Sequence, residues 1–311
     1  MLKYIDKIKE ISKRLLNEKA VDIVIGFQKG TIPMMNEPCL INKPENTDSL
    51  VWDSNCRINL AKYLTGRNEK IAVIVKGCDS RNIVTHIIEN KIKRDQLFII
   101  GAPCKGMIDR HKVASIFEEE IIEVAEEENT IIVRGNTAEK TFKKTDVMQE
   151  NCALCIHRNP VIYDELAAKP VEEQANIDRY EDVRKIEEMK VEEKNSFFDK
   201  TFSACVRCYA CRNACPLCYC PTCFVDESHP QWLGKSIDPT DTKTFHLLRA
   251  FHCAGRCTDC GACEQACPMG INVRLLTKKL EKDCFDIYGW EAGMSLDKRP
   301  PLDTYSPDDP N

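Results

Sequence analysis

Glycine is sparse, and no two glycines stand two residues apart, so no G-x-G occurs anywhere. That absence removes the Rossmann fingerprint for NAD or FAD, in which closely spaced glycines let the backbone approach a pyrophosphate. The one G-K-S run, Gly234-Lys235-Ser236, has His229 where a P-loop needs its first glycine. Long apolar runs are missing too. Ile71–Val75 and Leu97–Gly101 fall far short of the ~20 residues that span a bilayer. There is no basic excess: 44 Lys and Arg face 49 Asp and Glu, a net charge of −5. That excludes the electropositive face that nucleic acid or an anionic membrane requires. The opening Met-Leu-Lys-Tyr-Ile-Asp-Lys-Ile-Lys-Glu is amphipathic and charged, unlike a signal peptide. These features predict a cytoplasmic protein with no membrane insertion and no nucleic-acid partner. No Ser/His/Asp constellation stands out, nor any paired carboxylates outside one charged segment. Nothing reads as a pterin–metal or nickel–iron active site.

What is abundant is cysteine, 19 in 311 residues. The number is odd, and disulfides are rare in a reducing cytosol. Many thiols in such a compartment usually mean metal. Cys39 and Cys284 fit the plainer reading of isolated buried thiols. Two tight clusters in the C-terminal region cannot fit it.

The apolar residues Leu2, Ile5, Ile8, Ile11, Leu15 and Leu16 have helical spacing, so 2–19 is expected to be an amphipathic helix. Residues 21–26 read as a strand. Residues 71–76 and 97–101 are short apolar runs bounded by glycine, as buried parallel strands are. Between them, Ile83, Val84, Ile87 and Ile88 mark a helix over 80–91. Strand, helix and strand form a βαβ unit. Residues 117–134 carry no single pattern; Ile121–Val124 and Ile131–Val133 could form a hairpin. The first domain, 1–165, is therefore expected to be α/β with a mainly parallel sheet.

Residues 164–200 hold twelve acidic and seven basic residues, a net charge equal to that of the whole chain. Residues 166–200 are expected to be a solvated, partly helical linker. Residues 201–290 are expected to form an α-helical two-cluster ferredoxin-type domain, with a helix over 272–286. A Pro- and Asp-rich tail, 291–311, is expected to lie free or along a partner, because its prolines forbid regular helix or strand.

The C-terminal region contains a repeat. One copy is Cys205-Val-Arg-Cys208-Tyr-Ala-Cys211-Arg-Asn-Ala-Cys215-Pro216, and the other is Cys257-Thr-Asp-Cys260-Gly-Ala-Cys263-Glu-Gln-Ala-Cys267-Pro268. Both are C-x2-C-x2-C-x3-C-P, the run of two-cluster bacterial ferredoxins, whose fourth cysteine binds the other cluster. By that rule Cys205, Cys208, Cys211 and Cys267 hold one [4Fe-4S] cluster. Cys257, Cys260, Cys263 and Cys215 hold the second. Zinc is the competing reading, but zinc knuckles carry no third cysteine at the next x2. Cys218, Cys220 and Cys223 follow at once, with Cys253 and Cys284 in the same domain. Four of these five could hold a further cluster or a zinc, or all could be buried thiols. His157, His229, His246 and His252 stand near cysteines; lone histidines are mostly structural, and His252 beside Cys253 is the candidate ligand.

In the first domain, Cys78 follows a strand and opens a helix, and Cys104 follows the next strand. Parallel strands deliver their C-terminal ends to one sheet edge, where ligands bind. Cys152 and Cys155 add a C-x2-C knuckle. Together these four could form a third [4Fe-4S] site, with Cys56 as a competing ligand. Lys76, Gly77 and Arg81, at the start of the helix, have two readings. They are a site for a flavin pyrophosphate, or they are donors to cluster sulfurs.

The same residues carry a resemblance. Val24-Ile-Gly-Phe-Gln-Lys-Gly30-Thr, Lys76-Gly-Cys-Asp-Ser-Arg81, Gly101-Ala-Pro-Cys104 and Cys152-x2-Cys155 with Asn159-Pro160 look like the beta-subunit family of coenzyme F420-reducing hydrogenase and formate dehydrogenase. The C-terminal domain resembles the helical two-cluster ferredoxin of heterodisulfide reductase small subunits and succinate dehydrogenase-type iron–sulfur subunits. Against the best-known beta subunits, the ferredoxin module here comes after the family domain. Family members pass electrons between iron–sulfur clusters and a flavin, and some reduce a deazaflavin coenzyme. The resemblance implies an iron–sulfur electron-transfer subunit of a multisubunit oxidoreductase rather than its catalytic subunit. Its implied partners are a formate dehydrogenase or hydrogenase catalytic subunit and a flavoprotein or other iron–sulfur subunit. The alternative is a flavin-containing subunit that itself reduces a soluble coenzyme such as a deazaflavin. A zinc-stabilised scaffold is the third possibility.

Overall fold

A computed structural model describes residues 2–303; the end of the tail, 304–311, lies outside the described residues. The chain divides into two compact units, Met1–Ile177 and Asp178–Asn311.

The first unit begins with α1 (Leu2–Asn17), which buries Ile8, Ile11, Leu15 and Leu16 on one face. Strands β1 (Ile23–Gln28), β2 (Glu37–Ile41), β3 (Leu50–Val51), β4 (Ile71–Val75) and β5 (Leu97–Gly101) follow. Helix α2 (Gly77–Ile88) crosses from β4 to β5. A late strand, β9 (Glu165–Leu166), completes the sheet in the order β2-β1-β4-β5-β9, with β3 also on β1. The β1, β4, β5 and β9 pairings are parallel, and only β2 and β3 run antiparallel. This is the expected α/β architecture with a mostly parallel sheet. All five residues of β4 are fully buried, as an uninterrupted apolar run in a covered parallel sheet must be.

Helix α3 (Arg110–Phe117) leads into an antiparallel sheet of β6 (Glu123–Glu126), β7 (Thr130–Arg134) and β8 (Glu139–Lys143). The expected hairpin is its first pair, and a third strand extends it. Its core holds Val113, Phe117, Ile131, Val133 and Phe142. The short helix α4 (Glu150–Ala153) carries Cys152.

The charged segment 166–200 does not stand apart as a linker. Val171 and Gln174 fold back on the first unit, hydrogen-bonded to Asn159 and to the Cys155 carbonyl. Helices α5 (Glu181–Glu187) and α6 (Val191–Ser203) belong to the second unit, where Tyr180, Val183 and Phe202 are buried. Net charge misled because many of these charges are engaged in ion pairs. Glu187, for example, meets Lys279 at 2.8 Å and Lys282 at 3.2 Å.

The second unit continues through α7 (Ala210–Ala214), α8 (Pro239–His252), α9 (Ala262–Gln265) and α10 (Arg274–Tyr288). Asp238 caps α8 through the Thr240 amide, and Pro239 occupies the first turn. The start of the tail is not free. Pro300 is buried and stands with Pro301 beside Gly255, and Pro301–Asp303 form a single 3-10 turn.

Arg274 is the electrostatic centre of this unit. It is 1% exposed and binds Asp182 at 2.7 Å, Asp259 at 3.0 Å and Glu264 at 3.1 Å. It thereby ties α5, the second cysteine loop and α9 to α10. Removing one partner from a buried ionic network leaves uncompensated charge, at a cost of about 3–5 kcal/mol. Arg274→Met is expected to lose that much in guanidinium denaturation of the full chain. A loss within the range of an ordinary surface substitution would show that the network is not structural.

Candidate iron–sulfur sites

In the first unit, strand register sets the site. Val75 pairs with Gly101, the last residues of β4 and β5. Cys78 and Cys104 each lie three residues beyond that pair, so both leave the sheet at one edge. The Cys152 to Cys155 turn is brought to the same place. Cys104 donates its amide to Arg158 at 2.8 Å, and Gln174 Nε2 donates to the carbonyls of Cys152, Ala153 and Cys155. Burial pushes the Cys104 thiol up to about 11, opposed by the Gly106 amide and the Lys76 charge, with Cys155 near enough to add to it. Burial, then Cys104 and Cys155, also raise Cys152. Burial opposes the charge of Lys76, but Asp79, Cys78 and Cys104 more than restore it. Cys78, Cys104 and Cys152 therefore share the field of one buried ammonium, and Cys155 stands near Cys104 and Cys152.

Cys56 is fully buried beside β3, its sulfur accepting from Asn36 Nδ2 at 3.4 Å and the Asp53 amide at 3.5 Å.

At the start of α2 the structure shows Lys76, Gly77 and Arg81 already engaged by the protein's own groups. Lys76 is turned inward, 2.9 Å from Asp79 and 3.1 Å from the Ile58 carbonyl. The Asp79 carboxylate accepts the Lys76 amide, so the helix start is already capped by an anion. Gly77 lies against the backbone of His157 and Asn159, and Arg81 is buried. A phosphate would have to displace these groups. Sequence showed the helix N-terminus but not the 157–159 segment that covers it.

In the second unit, the two repeat copies share one backbone. Arg207 and Tyr209 in the first copy have φ of 51° and 60°; Asp259 and Gly261 in the second have 53° and 72°. Left-handed backbone is strained for a non-glycine residue and is kept where a site requires it. In each copy the bend aims an amide at the first cysteine: Arg207 at Cys205, and Asp259 at Cys257 at 3.4 Å. Helices α7 and α9 then lie against each other.

A cavity is lined by Cys205, Cys208, Cys211 and Cys267, the four thiols expected around one cluster. His246 Nε2 stands 3.3 Å from Cys205 Sγ. Burial, then Arg249 and Arg207, lower its pKa to about 4, so the ring is neutral. The other expected set falls into two neighbouring pairs. Cys257 feels the charge of Cys260, and Cys263 that of Cys215. Cys215 also hydrogen-bonds Cys218 and Cys253. Among the described residues, no three His, Cys, Asp or Glu side chains are grouped to hold a single metal ion. Cys205, Cys208, Cys211 and Cys267 line a cavity instead.

Arg249 was not foreseen. It is buried, donates to the Cys211 carbonyl at 3.2 Å, and is surrounded by Cys263, Cys215, Cys253 and Cys211. The available signal was spacing. His246 and Arg249 on α8 and Cys253 at its C-cap are three and four residues apart, so they share one face.

No protein-family model matches the chain. Comparison with curated proteins finds the F420-dependent formate dehydrogenase subunit beta of Methanocaldococcus jannaschii, 25% identical over 93% of this chain and 92% of that one. The F420-dependent formate dehydrogenase 1 subunit beta of Methanococcus maripaludis is 24% identical over 93% and 90%. The chain resembles the beta subunits of F420-dependent formate dehydrogenases. That agrees with the family read from the cysteine motifs. Coverage this complete takes in both units. A chain of the F420-reducing [NiFe] hydrogenase complex from Methanosarcina barkeri is similar in part, with 13% identity and a TM-score of 0.38 over 51% of this chain and 59% of that one. A likeness that slight fixes no structural detail.

A methyl group at Gly77 would lie 2.3 Å from the His157 carbonyl oxygen and 3.0 Å from that of Asn159. Backbone cannot yield as a side-chain end does, so Gly77→Ala is expected to cost about 1–3 kcal/mol. Gly26→Ala meets only the tips of Leu50 and Ile74 and is expected to cost less. Denaturant midpoints of the two variants check this; equal losses would refute the close approach at Gly77.

Proposed function

We propose that this chain is an iron–sulfur electron-transfer subunit of a multisubunit oxidoreductase. The observation that carries the reading is the cavity lined by Cys205, Cys208, Cys211 and Cys267. Three thiols come from one repeat copy and the fourth from the other, which is the ligand exchange of a two-cluster ferredoxin run. On this reading those four hold one [4Fe-4S] cluster, and Cys257, Cys260, Cys263 and Cys215 hold a second. Cys78, Cys104, Cys152 and Cys155 hold a third, and Cys56 is a buried thiol. Clusters of this kind supply one-electron chemistry. The protein's own groups tune it: the Arg207 and Asp259 amides donate to cysteine sulfur, and Lys76 and Arg249 offset negative charge. Both effects favour the reduced state and raise potential.

The relatives are named as subunits of formate dehydrogenases. This supports a catalytic oxidoreductase subunit as one partner, with a flavoprotein or further iron–sulfur subunit as the other. No described helix is long and apolar enough to cross a membrane, in keeping with the proposed cytoplasmic setting. The F420 in the relatives' names favours one second reading, a chain that passes electrons through flavin to a deazaflavin.

Purification without oxygen, with assays for iron, acid-labile sulfide, zinc and flavin, tests the proposal. Cys208→Ser and Cys260→Ser should each remove about four iron and four sulfide per chain and one paramagnetic species after reduction. Full content in both variants would defeat the ligand assignment. Flavin at one per chain would move the assignment to the second reading. Zinc without sulfide would end the electron-transfer reading.

A further inference from the structure

The second unit has another cavity, of about 450 Å³, and its walls carry four cysteines outside the repeated motif: Cys218, Cys220, Cys223 and Cys253. We propose that these four thiolates hold an additional iron–sulfur cluster of the [4Fe-4S] kind. Three of them come from one short loop that follows the Cys215-Pro216 turn, and the fourth caps the C-terminal end of α8. Distant in sequence, they open on a common space in the fold.

The size and charge of that space point to a cluster rather than to one ion. Zinc draws its sulfurs to about 2.3 Å, whereas these thiols line a cavity many times larger than an ion. Arg212, Arg249 and Arg256 line it as well. A cube bound by four thiolates is an anion, and three guanidinium groups oppose its charge. Arg212 donates to the Cys223 sulfur while pairing with Asp226 at 2.7 Å. Arg256 donates to the Tyr219 hydroxyl, which fixes the loop between Cys218 and Cys220.

The site adjoins the repeated motif. Cys218 and Cys253 both hydrogen-bond Cys215, the cysteine assigned to the second cluster. At the far side, Cys220 is exposed, whereas Cys253 is buried. The cluster would thus run from the second cluster's ligand to the protein surface. It rests on the electron-transfer reading in one respect, the choice of iron and sulfide as occupant.

The test compares the full chain, purified without oxygen, with Cys220→Ala and with Cys220→Ala/Cys223→Ala. Cys220 is exposed, so its replacement leaves core packing intact. The double variant is expected to lose about four iron and four sulfide per chain, with the helical circular dichroism unchanged. Cys220→Ala alone is expected to lose iron or to alter one Mössbauer component. Adding Cys208→Ser should remove a further four or so, because it empties a different site. Wild-type iron and sulfide in both alanine variants would overturn the proposal, as would loss of one zinc with no loss of iron. If Cys208→Ser alone also removed no iron, the electron-transfer reading would fall with it. If Cys208→Ser removed its share and the alanine variants did not, only the additional cluster would fall.

Discussion

Thiols gathered in a protein interior resist ionisation, because burial takes away water and each ionised sulfur would repel the next. That constraint governs both units. In the first, the chain places Lys76 among Cys78, Cys104 and their neighbours, at a position sealed from solvent. In the second, Arg249 is enclosed by thiols from both repeat copies. A buried cation is costly alone and a set of buried thiolates is costly alone; together they offset each other. The two cations are held differently. Lys76 is also paired with Asp79, which fixes it at the start of α2. Arg249 is fixed by the Cys211 carbonyl, so its charge stays directed at sulfur.

Much of this was legible in the sequence, for identifiable reasons. Ile71–Val75 and Leu97–Gly101 could be read as buried parallel strands because nothing in them suits an exposed face. From there, strand-end geometry alone carried Cys78 and Cys104 to one edge. The repeat was legible because its spacing is diagnostic. Its shared left-handed backbone at Arg207 and Asp259 was not, since two residues so unlike in chemistry give no common signal. Their side chains diverge accordingly: Arg207 binds the Gly234 and Ser236 carbonyls, while Asp259 binds Arg274 and Lys278.

A segment read in isolation does not show what its charges meet in the fold. Lys76, Gly77 and Arg81 have the composition of an anion site, but the 157–159 backbone and the Asp79 carboxylate already fill it. Segment 166–200 has the composition of a solvated linker. Yet Asp182 is held by Arg274 from far along the chain, which makes a charged residue a core residue. Composition reports which groups are present; only long-range pairing decides whether they meet water.

Helix α8 explains the length of the segment between the two repeat copies. A ferredoxin run needs only enough chain between its copies to let each lend a cysteine to the other. Here the intervening segment folds into a helix whose inner face does three separate things. His246 meets Cys205 in the first cavity, Arg249 stands among thiols of both copies, and Cys253 opens on the cavity shared with Cys218, Cys220 and Cys223. The 3.6-residue period puts these positions in line, so a single rigid element sets the spacing of all three. The segment is therefore part of the architecture that gathers the cysteines, and a change that rotated α8 would disturb Cys205, the thiols around Arg249 and the Cys218–Cys223 loop together.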